Sequence, residues 1–93
     1  MENMEPTFEN IVRVYMTRVG GKQISIRRFV KQMNEPLTSK GITGFTHQAV
    51  YNWLAGKHKP SERGLTTLMS ASNPESWQCE FASDLIKCLK ESA

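Results

Sequence analysis

The chain has 93 residues, 39% of them hydrophobic, and a formal net charge of +3. This length suffices for one small domain and excludes a second domain of ordinary size. No apolar run approaches membrane-spanning length, and the acidic, polar N-terminus is unlike a signal peptide. We therefore expect one domain over residues 1–93 in a cytoplasmic protein with no membrane contact.

The first two helices are predicted from apolar residues that recur every three or four positions. One begins near residues 6–7 and ends at the glycine pair 20–21, and the next has Ser25 as its N-cap. This second helix stops before Pro36, because the residue that precedes a proline avoids helical geometry. Residues 35–44 contain one Pro, two Gly and three Ser or Thr, so we expect a loop there.

A short third helix is predicted over about 46–55, with both of its ends marked. Thr46 is a suitable N-cap, because its hydroxyl can accept a hydrogen bond from a first-turn amide. Gly56 supplies the left-handed residue that ends a helix, and Pro60 prevents a restart.

This third helix has an apolar face and a polar face. Val50, Trp53 and Leu54 share the apolar face, which we expect to be buried. Gln and Asn side chains match the donor and acceptor atoms on the edge of adenine, and a helix fits the major groove of DNA. The alternative is an ordinary solvated surface, on which the histidine is a bystander and the tyrosine covers the flank of the domain. The polar face predicts a DNA-reading helix, with base contacts by His47, Gln48, Tyr51 and Asn52.

Two further helices complete an all-α, single compact domain of about five helices. Ser61 caps the fourth, and the fifth runs over about 74–90. The four earlier helices are short, and their apolar stripes can largely close one small core. Part of the last stripe is therefore expected to remain for a partner, with full intramolecular burial as the alternative. This stripe consists of Trp77, Phe81, Leu85, Cys88 and Leu89.

Catalytic and metal-binding patterns are not found in the sequence. Paired acids at catalytic spacing, a nucleophile elbow and a phosphate loop are all missing, so we expect no enzyme activity and no cofactor. Cys79 and Cys88 fall on opposite faces of the fifth helix, ~13 Å apart along its axis, too far for a disulfide. We expect both to be reduced. With His47 and His58 they show no close ligand spacing, so no metal site is predicted.

Basic residues concentrate in the middle of the chain. From Arg18 to Arg63 there are nine basic residues against two acidic ones, a balance of +7, whereas the two ends together carry −4. Such an asymmetry is typical of a surface that binds nucleic acid. Arg27, Arg28 and Lys31 fall on the solvent side of the second helix, where we expect one or two of them to contact phosphates.

Three stretches occur in an order that resembles a known family. They are ISIRRFV (24–30), THQAVYNW (46–53) and GKHKPS (56–61), followed by Leu65 and Leu68. Together they resemble the helix-turn-helix domain of the Cro/repressor (Xre-type) family, which includes phage repressors, with a motif over about 25–55. The resemblance implies a lambda-repressor-like fold, with base contacts at the start of the third helix and one turn later. The phosphate contacts predicted from resemblance and charge are Thr46, Arg27, Arg28, Lys57, Lys59, Ser61 and Arg63.

The chain departs from the family pattern at three places. Ile26 stands where the family usually has a phosphate-binding glutamine, and Val30 replaces a smaller residue at a tight contact between helices. The family's short turn is replaced by ten residues, 35–44, which leaves the relative placement of the second and third helices open. Extra loop length costs little entropy, so the reading helix need not move. The insert could itself reach the DNA backbone through Thr38, Ser39 and Lys40.

The sequence therefore predicts a sequence-specific, DNA-binding transcriptional regulator in the cytoplasm, associated with the nucleoid. It resembles a small repressor or Cro-like protein that acts by occupying an operator on double-stranded DNA. We expect a homodimer, at least on DNA, because one reading helix specifies only a few base pairs. The alternative is a protein-interaction module, antitoxin-like or a recombination accessory protein, in which DNA binding is secondary.

Overall fold

Helices account for most of the computed structural model, which describes residues 7–21 and 23–91. Within these residues there are six helices and no strand, which confirms the all-α prediction for this part of the chain. Pro6, where the first helix was expected to begin, and the basic residue Lys22 lie outside it. None of the described helices combines the length and apolar character needed to cross a membrane. The helices are α1 (Phe8–Gly20), α2 (Ile26–Met33), α3 (Glu35–Thr38), α4 (His47–Leu54), α5 (Glu62–Ala71) and α6 (Trp77–Glu91).

Four helices begin at a Ser or Thr hydroxyl that accepts a hydrogen bond from a first-turn N–H. Such hydroxyls satisfy amides that have no partner inside the helix, so they fix the residue at which it starts. The predicted starts of the second, third and fourth helices are confirmed. The capping hydroxyls belong to Thr7, Ser25, Thr46 and Ser61, at 2.9 to 3.1 Å from the donor nitrogens.

The loop predicted over residues 35–44 is wrong in part, because its first residues form α3. Pro36 lies in the first turn of α3, where its missing N–H costs no helical hydrogen bond. Leu37 is buried in the core, and its carbonyl accepts the N–H of Ile42 at 2.9 Å. The chain then turns at Gly41, which has a φ of 72°. The described chain therefore has six helices where five were expected.

The last helix begins three residues later than Pro74, where the sequence placed its start. Asn73 Oδ1 accepts the N–H of Glu75 at 2.9 Å, and the Asn73 carbonyl accepts the N–H of Ser76 at 2.9 Å. An Asn side chain that binds nearby backbone favours a turn over a helix. Because this turn occupies residues 73–76, α6 starts only at Trp77.

One core joins residues from all six helices. Helix α6 contributes Phe81, Ala82 and Leu85, which are fully buried. The Phe81 ring packs against Tyr15 of α1 and Phe29 of α2, with centroid distances of 5.0 and 5.6 Å. The expectation that four helices largely close the core without the last one is therefore wrong. The apolar stripe of the last helix packs into the core of its own domain, which was one of the two alternatives.

Tyr15 connects α1 to α6 through a buried phenol. Its hydroxyl donates to Asp84 Oδ2 at 2.6 Å, and the residue is 2% exposed. Burial, together with the neighbouring Asp84 carboxylate, raises the pKa of Tyr15 well above its ordinary value. The Arg18 guanidinium lies 4.8 Å from the centroid of the Tyr15 ring and donates to Glu80 Oε1 at 3.4 Å. These contacts hold the last helix against the first.

Candidate nucleic-acid interface

Helix α4 ends in backbone hydrogen bonds that depend on Gly56. This glycine has a φ of 72°, in the left-handed region. The N–H of Lys57 donates to the carbonyl of Asn52 at 2.9 Å, and the N–H of Gly56 donates to the carbonyl of Trp53 at 3.2 Å. This pair of bonds is the Schellman motif, which stops a helix and sets the direction in which the chain leaves it. The predicted helix end is confirmed, and Lys57 follows it in a fixed backbone geometry.

The inner face of α4 is anchored in the core. Val50 is fully buried and Trp53 is 3% exposed, as the sequence predicted, and Leu54 is half-buried. The ring of Phe45, just before the helix, meets Trp53 edge to face at a centroid distance of 5.3 Å. Helix α4 packs against both α1 and α2. Its outer face is therefore presented from a rigid support.

The outer face of α4 carries the four side chains predicted to contact bases. His47 and Gln48 are exposed, Tyr51 is 48% exposed, and Asn52 is half-buried. Gln48 Nε2 donates to Asn52 Oδ1 at 3.3 Å, so the two carboxamides lie side by side. The predicted division of the helix into faces is confirmed, while base contact itself stays a prediction.

A hydrogen-bonded bridge that the sequence analysis missed fixes the start of α4. Asn34, the residue after α2, donates from Nδ2 to the carbonyl of Phe45 at 2.7 Å. Its Oδ1 accepts the N–H of Phe45 at 3.0 Å. Gly44 lies so close to the Asn34 carboxamide that a Cβ at this position would overlap it. No local pattern marks Asn34, because its partner lies 11 residues away.

The basic side chains predicted to contact phosphates lie on three segments next to or within this region. Two are in the first turn of α2, which packs against α4, two follow α4, and one is in the first turn of α5. Ion pairs in the described part of the chain involve only Arg13 with Glu9 and Arg18 with Glu80. The five predicted cations are exposed and lie outside these pairs, so their charges are available to an anionic partner. They are Arg27, Arg28, Lys57, Lys59 and Arg63.

The turn after α4 brings Lys57 and Lys59 to one cleft. They line it together with Trp53 of α4 and Phe8 of α1. The Lys57 ammonium lies 6.0 Å from the centroid of the exposed Tyr51 ring. A predicted base contact and a predicted phosphate contact are therefore neighbours.

Thr46 and Ser61, also predicted to contact phosphates, are exposed N-caps. Their hydroxyl oxygens accept from the N–H groups of Ala49 and Gly64, at 3.1 and 2.9 Å. A hydroxyl that accepts one bond can still donate its own hydrogen. Both residues can therefore cap their helices and donate to a phosphate oxygen at the same time.

Lys40, the cation of the insert between α2 and α4, is hydrogen-bonded to the domain itself. Lys40 Nζ donates to the carbonyl of Ala71, at the C-terminal end of α5, at 2.9 Å. Ser39 Oγ donates to the carbonyl of Pro36 at 3.1 Å. Lys40 and Ser39 are thus bound within the domain, and Thr38 makes no side-chain bond here. All three residues are exposed, so contact of the insert with the DNA backbone stays a prediction. Lys40 suits its place, because a cation is favoured at a helix C-terminus.

At the two other departures from the family pattern, the side chains point inward. Val30 is 6% exposed and belongs to the core, while Ile26 is half-buried and packs against it. The neighbouring Arg27 and Arg28 are exposed, and the backbone N–H of Arg28 is bound by Ser25. A phosphate contact at this end of α2 would therefore fall to the arginines.

Other reactive groups do not form a second site in the described residues. No group of three or more His, Cys, Asp or Glu side chains lies close enough to hold a metal ion within residues 7–21 and 23–91. Cys79 is half-buried and Cys88 buried, and neither forms a disulfide bond. Burial raises the pKa of the Cys88 thiol.

Comparisons of the chain with models of protein families, with curated proteins and with solved structures find no match. The features of the chain that bear on its function are the side chains of α4 and the cations around it.

Proposed function

We propose that the protein is a sequence-specific, DNA-binding transcriptional regulator, a small repressor or Cro-like protein that acts by occupying an operator. In this proposal α4 lies in the major groove of double-stranded DNA, and its outer face contacts base edges. Such a protein needs no catalytic group. Its affinity comes largely from phosphate contacts and its specificity from a few side chains in one groove.

The observation that carries the proposal is the composition of the outer face of α4. Two carboxamides, Gln48 and Asn52, lie one turn apart and in contact, and Tyr51 beside them is 48% exposed. Carboxamides match the edge of adenine, and an exposed ring can contact a thymine methyl group or a sugar. The opposite face is buried and both helix ends are capped, so the backbone that carries these side chains is held in place before any partner binds.

We further propose that α2 and α4 are the two helices of a helix-turn-helix motif of the Cro/repressor kind. Support comes from the packing of α2 against α4. The bridge from Asn34 to Phe45 closes the ten-residue connection at its base. The insert that contains α3 can then extend beside α5 without separating the two motif helices.

Phosphate contacts are assigned to the exposed cations that flank α4. Lys57 and Lys59 follow the helix directly, and Arg63 lies in the first turn of the next one. In a helix-turn-helix motif the first helix crosses the sugar-phosphate backbone of the DNA, so Arg27 and Arg28 at the start of α2 would face phosphates. Each contact would release a counterion, so binding should weaken steeply with salt.

A homodimer on a two-fold site is part of the proposal, because one helix reads too few base pairs to define an operator. The alternative, a protein-interaction module, depended on the expectation that part of the apolar stripe of the last helix is left exposed for a partner. Phe81 and Leu85 are fully buried in the core of this domain, so the alternative loses this support.

The test measures binding to a labelled DNA duplex by fluorescence anisotropy at a series of salt concentrations. We expect the logarithm of the binding constant to fall linearly with the logarithm of salt concentration, with a slope of about −0.9 per phosphate contact. Lys87→Ala removes an exposed cation of α6 that is not among the predicted phosphate contacts, and it serves as a control that should keep the wild-type slope. The complete lack of binding at low salt would refute the proposal and favour a protein adaptor.

A further inference from the structure

We propose that Gln48 and Asn52 read two neighbouring base pairs as one unit, with an adenine facing Gln48 and a guanine facing Asn52. This inference rests on the proposed function, in which α4 lies in the major groove. It adds the base sequence that the helix recognises.

The hydrogen bond between the two side chains decides which atoms of Gln48 remain for DNA. One Nε2 hydrogen is donated to Asn52 Oδ1 at 3.3 Å. The acceptor Oε1 and the second Nε2 hydrogen are left, and they form one donor–acceptor pair. Adenine presents the complementary pair, with N6 as donor and N7 as acceptor, whereas guanine presents two acceptors. Gln48 can therefore bind adenine at both atoms without breaking its bond to Asn52.

The same hydrogen bond gives Asn52 the opposite character. Its oxygen already accepts from Gln48, while both hydrogens on Nδ2 remain to be donated. A group that acts mainly as a donor fits guanine, whose major-groove edge carries the acceptors O6 and N7. The bond thus divides the roles, so that Gln48 selects adenine and Asn52 selects guanine.

Contact between the two carboxamides keeps the two reading groups close together on the outer face of α4. The bonded atoms of Gln48 and Asn52 are 3.3 Å apart. Successive base pairs along one strand are separated by about 3.4 Å. Because the two side chains are in contact, the proposal assigns them to two base pairs that are stacked on each other.

Asn52 is the less exposed member of the pair, and its side-chain oxygen accepts the hydrogen bond from Gln48. Asn52 is half-buried, and its backbone carbonyl accepts the N–H of Lys57 at 2.9 Å. Gln48 is exposed, one turn nearer the start of the helix. Loss of the Asn52 oxygen should therefore weaken the preference of Gln48 for its own base, and not only the preference at the neighbouring base pair.

The experiment measures binding of the full chain to duplexes in which each base pair of a selected site is changed in turn. We expect Gln48→Ala to reduce the preference for adenine about fivefold or more. Asn52→Ala should remove the guanine preference and also reduce the adenine preference by about twofold or more. The second effect is expected because the energetic contributions of residues in contact are not independent. Circular dichroism of each variant checks that the helices are intact.

Asn52→Asp is the matched variant that separates the two roles of Asn52. A carboxylate keeps the oxygen that accepts from Gln48 but has no hydrogen to donate. The adenine preference should therefore survive while the guanine preference is lost, although the added charge weakens binding to all duplexes.

Independent effects of Gln48→Ala and Asn52→Ala, each confined to its own base pair, would overturn this inference and leave the proposed function standing. Selected sites with another base pair facing either residue would overturn it as well. If the wild-type protein shows no sequence preference at all, the inference and the proposed function both fail.

Discussion

The carboxamide of Asn34 binds both backbone polar groups of Phe45. Its Nδ2 donates to the Phe45 carbonyl at 2.7 Å, and its Oδ1 accepts the Phe45 N–H at 3.0 Å. The bridge joins the end of α2 to the residue that precedes the N-cap of α4. A connection of ten residues between two helices can thus leave them in fixed contact.

Asn34→Ala should lower the free energy of unfolding by about 1–3 kcal/mol, because the polar backbone groups of Phe45 are then left unsatisfied in a part-buried site. Urea denaturation followed by circular dichroism measures the change. Ser39→Ala is the control, since it removes only an exposed hydrogen bond within the insert. Equal stability of Asn34→Ala and the wild-type protein would show that the bridge does not hold the two helices together.

Gly44 gives an independent check on the same bridge. A Cβ on Gly44 would overlap the Asn34 carboxamide, so Gly44→Ala should force the bridge apart and destabilise the protein. In the Asn34→Ala background this overlap is relieved. The cost of Gly44→Ala should therefore be smaller there than in the wild-type protein, as a double-mutant cycle measures. Additive costs would contradict the contact.

Tyr15 should make stability fall at alkaline pH. In the unfolded chain the phenol ionises near its ordinary pKa of about 10, whereas burial and Asp84 raise the pKa in the folded protein. The contribution of Tyr15 is fully present below about pH 10 and is lost as the pH rises above it. When thermal unfolding is measured over this pH range, Tyr15→Phe should reduce the fall of the melting temperature with rising pH. Tyr51→Phe, at an exposed residue, should leave that fall unchanged. Identical slopes for Tyr15→Phe and the wild-type protein would contradict this account.

The phosphate contacts can be tested at the turn after α4. Lys57→Ala and Lys59→Ala should each weaken binding to specific and unrelated duplexes alike and reduce the magnitude of the salt slope by ~1. Both residues are exposed and outside the ion pairs described above, so stability should change little. An unaltered slope in the double variant would place this turn away from the DNA.

The parts of the fold that the sequence predicted are those set by neighbouring residues. The N-caps at Ser25, Thr46 and Ser61, and the helix end at Gly56, each depend on atoms within a few positions, so local patterns reveal them. The exposed face of α4 follows from helical periodicity in the same way.

The features that escaped prediction depend on distant or competing contacts. Asn34 finds its partner 11 residues away, and Lys40 finds Ala71 at a separation of 31. Helix α3 forms where the composition indicates a loop, because Leu37 is buried in the core. The residues before Trp77 form a turn because the Asn73 side chain binds the backbone two positions on. None of these follows from periodicity alone.

The proposed dimer makes a prediction about stoichiometry. Two chains on a two-fold site would place their reading helices about one DNA turn, ~34 Å, apart. Sedimentation of the protein with a duplex that carries two half-sites should therefore give two chains per duplex. A complex of one chain with one duplex on the full site would refute the dimer.

Selection of bound sequences from a random DNA pool tests the central claim, that the outer face of α4 reads bases, most directly. The wild-type protein should enrich a site with two-fold related halves. Gln48→Ala should relax the preference at the base pair facing it in each half, at a cost of about 1–3 kcal/mol, while positions outside the two base pairs that face Gln48 and Asn52 keep theirs. Enrichment of the same site with unchanged preferences by Gln48→Ala, or no enrichment by the wild-type protein, would contradict the claim.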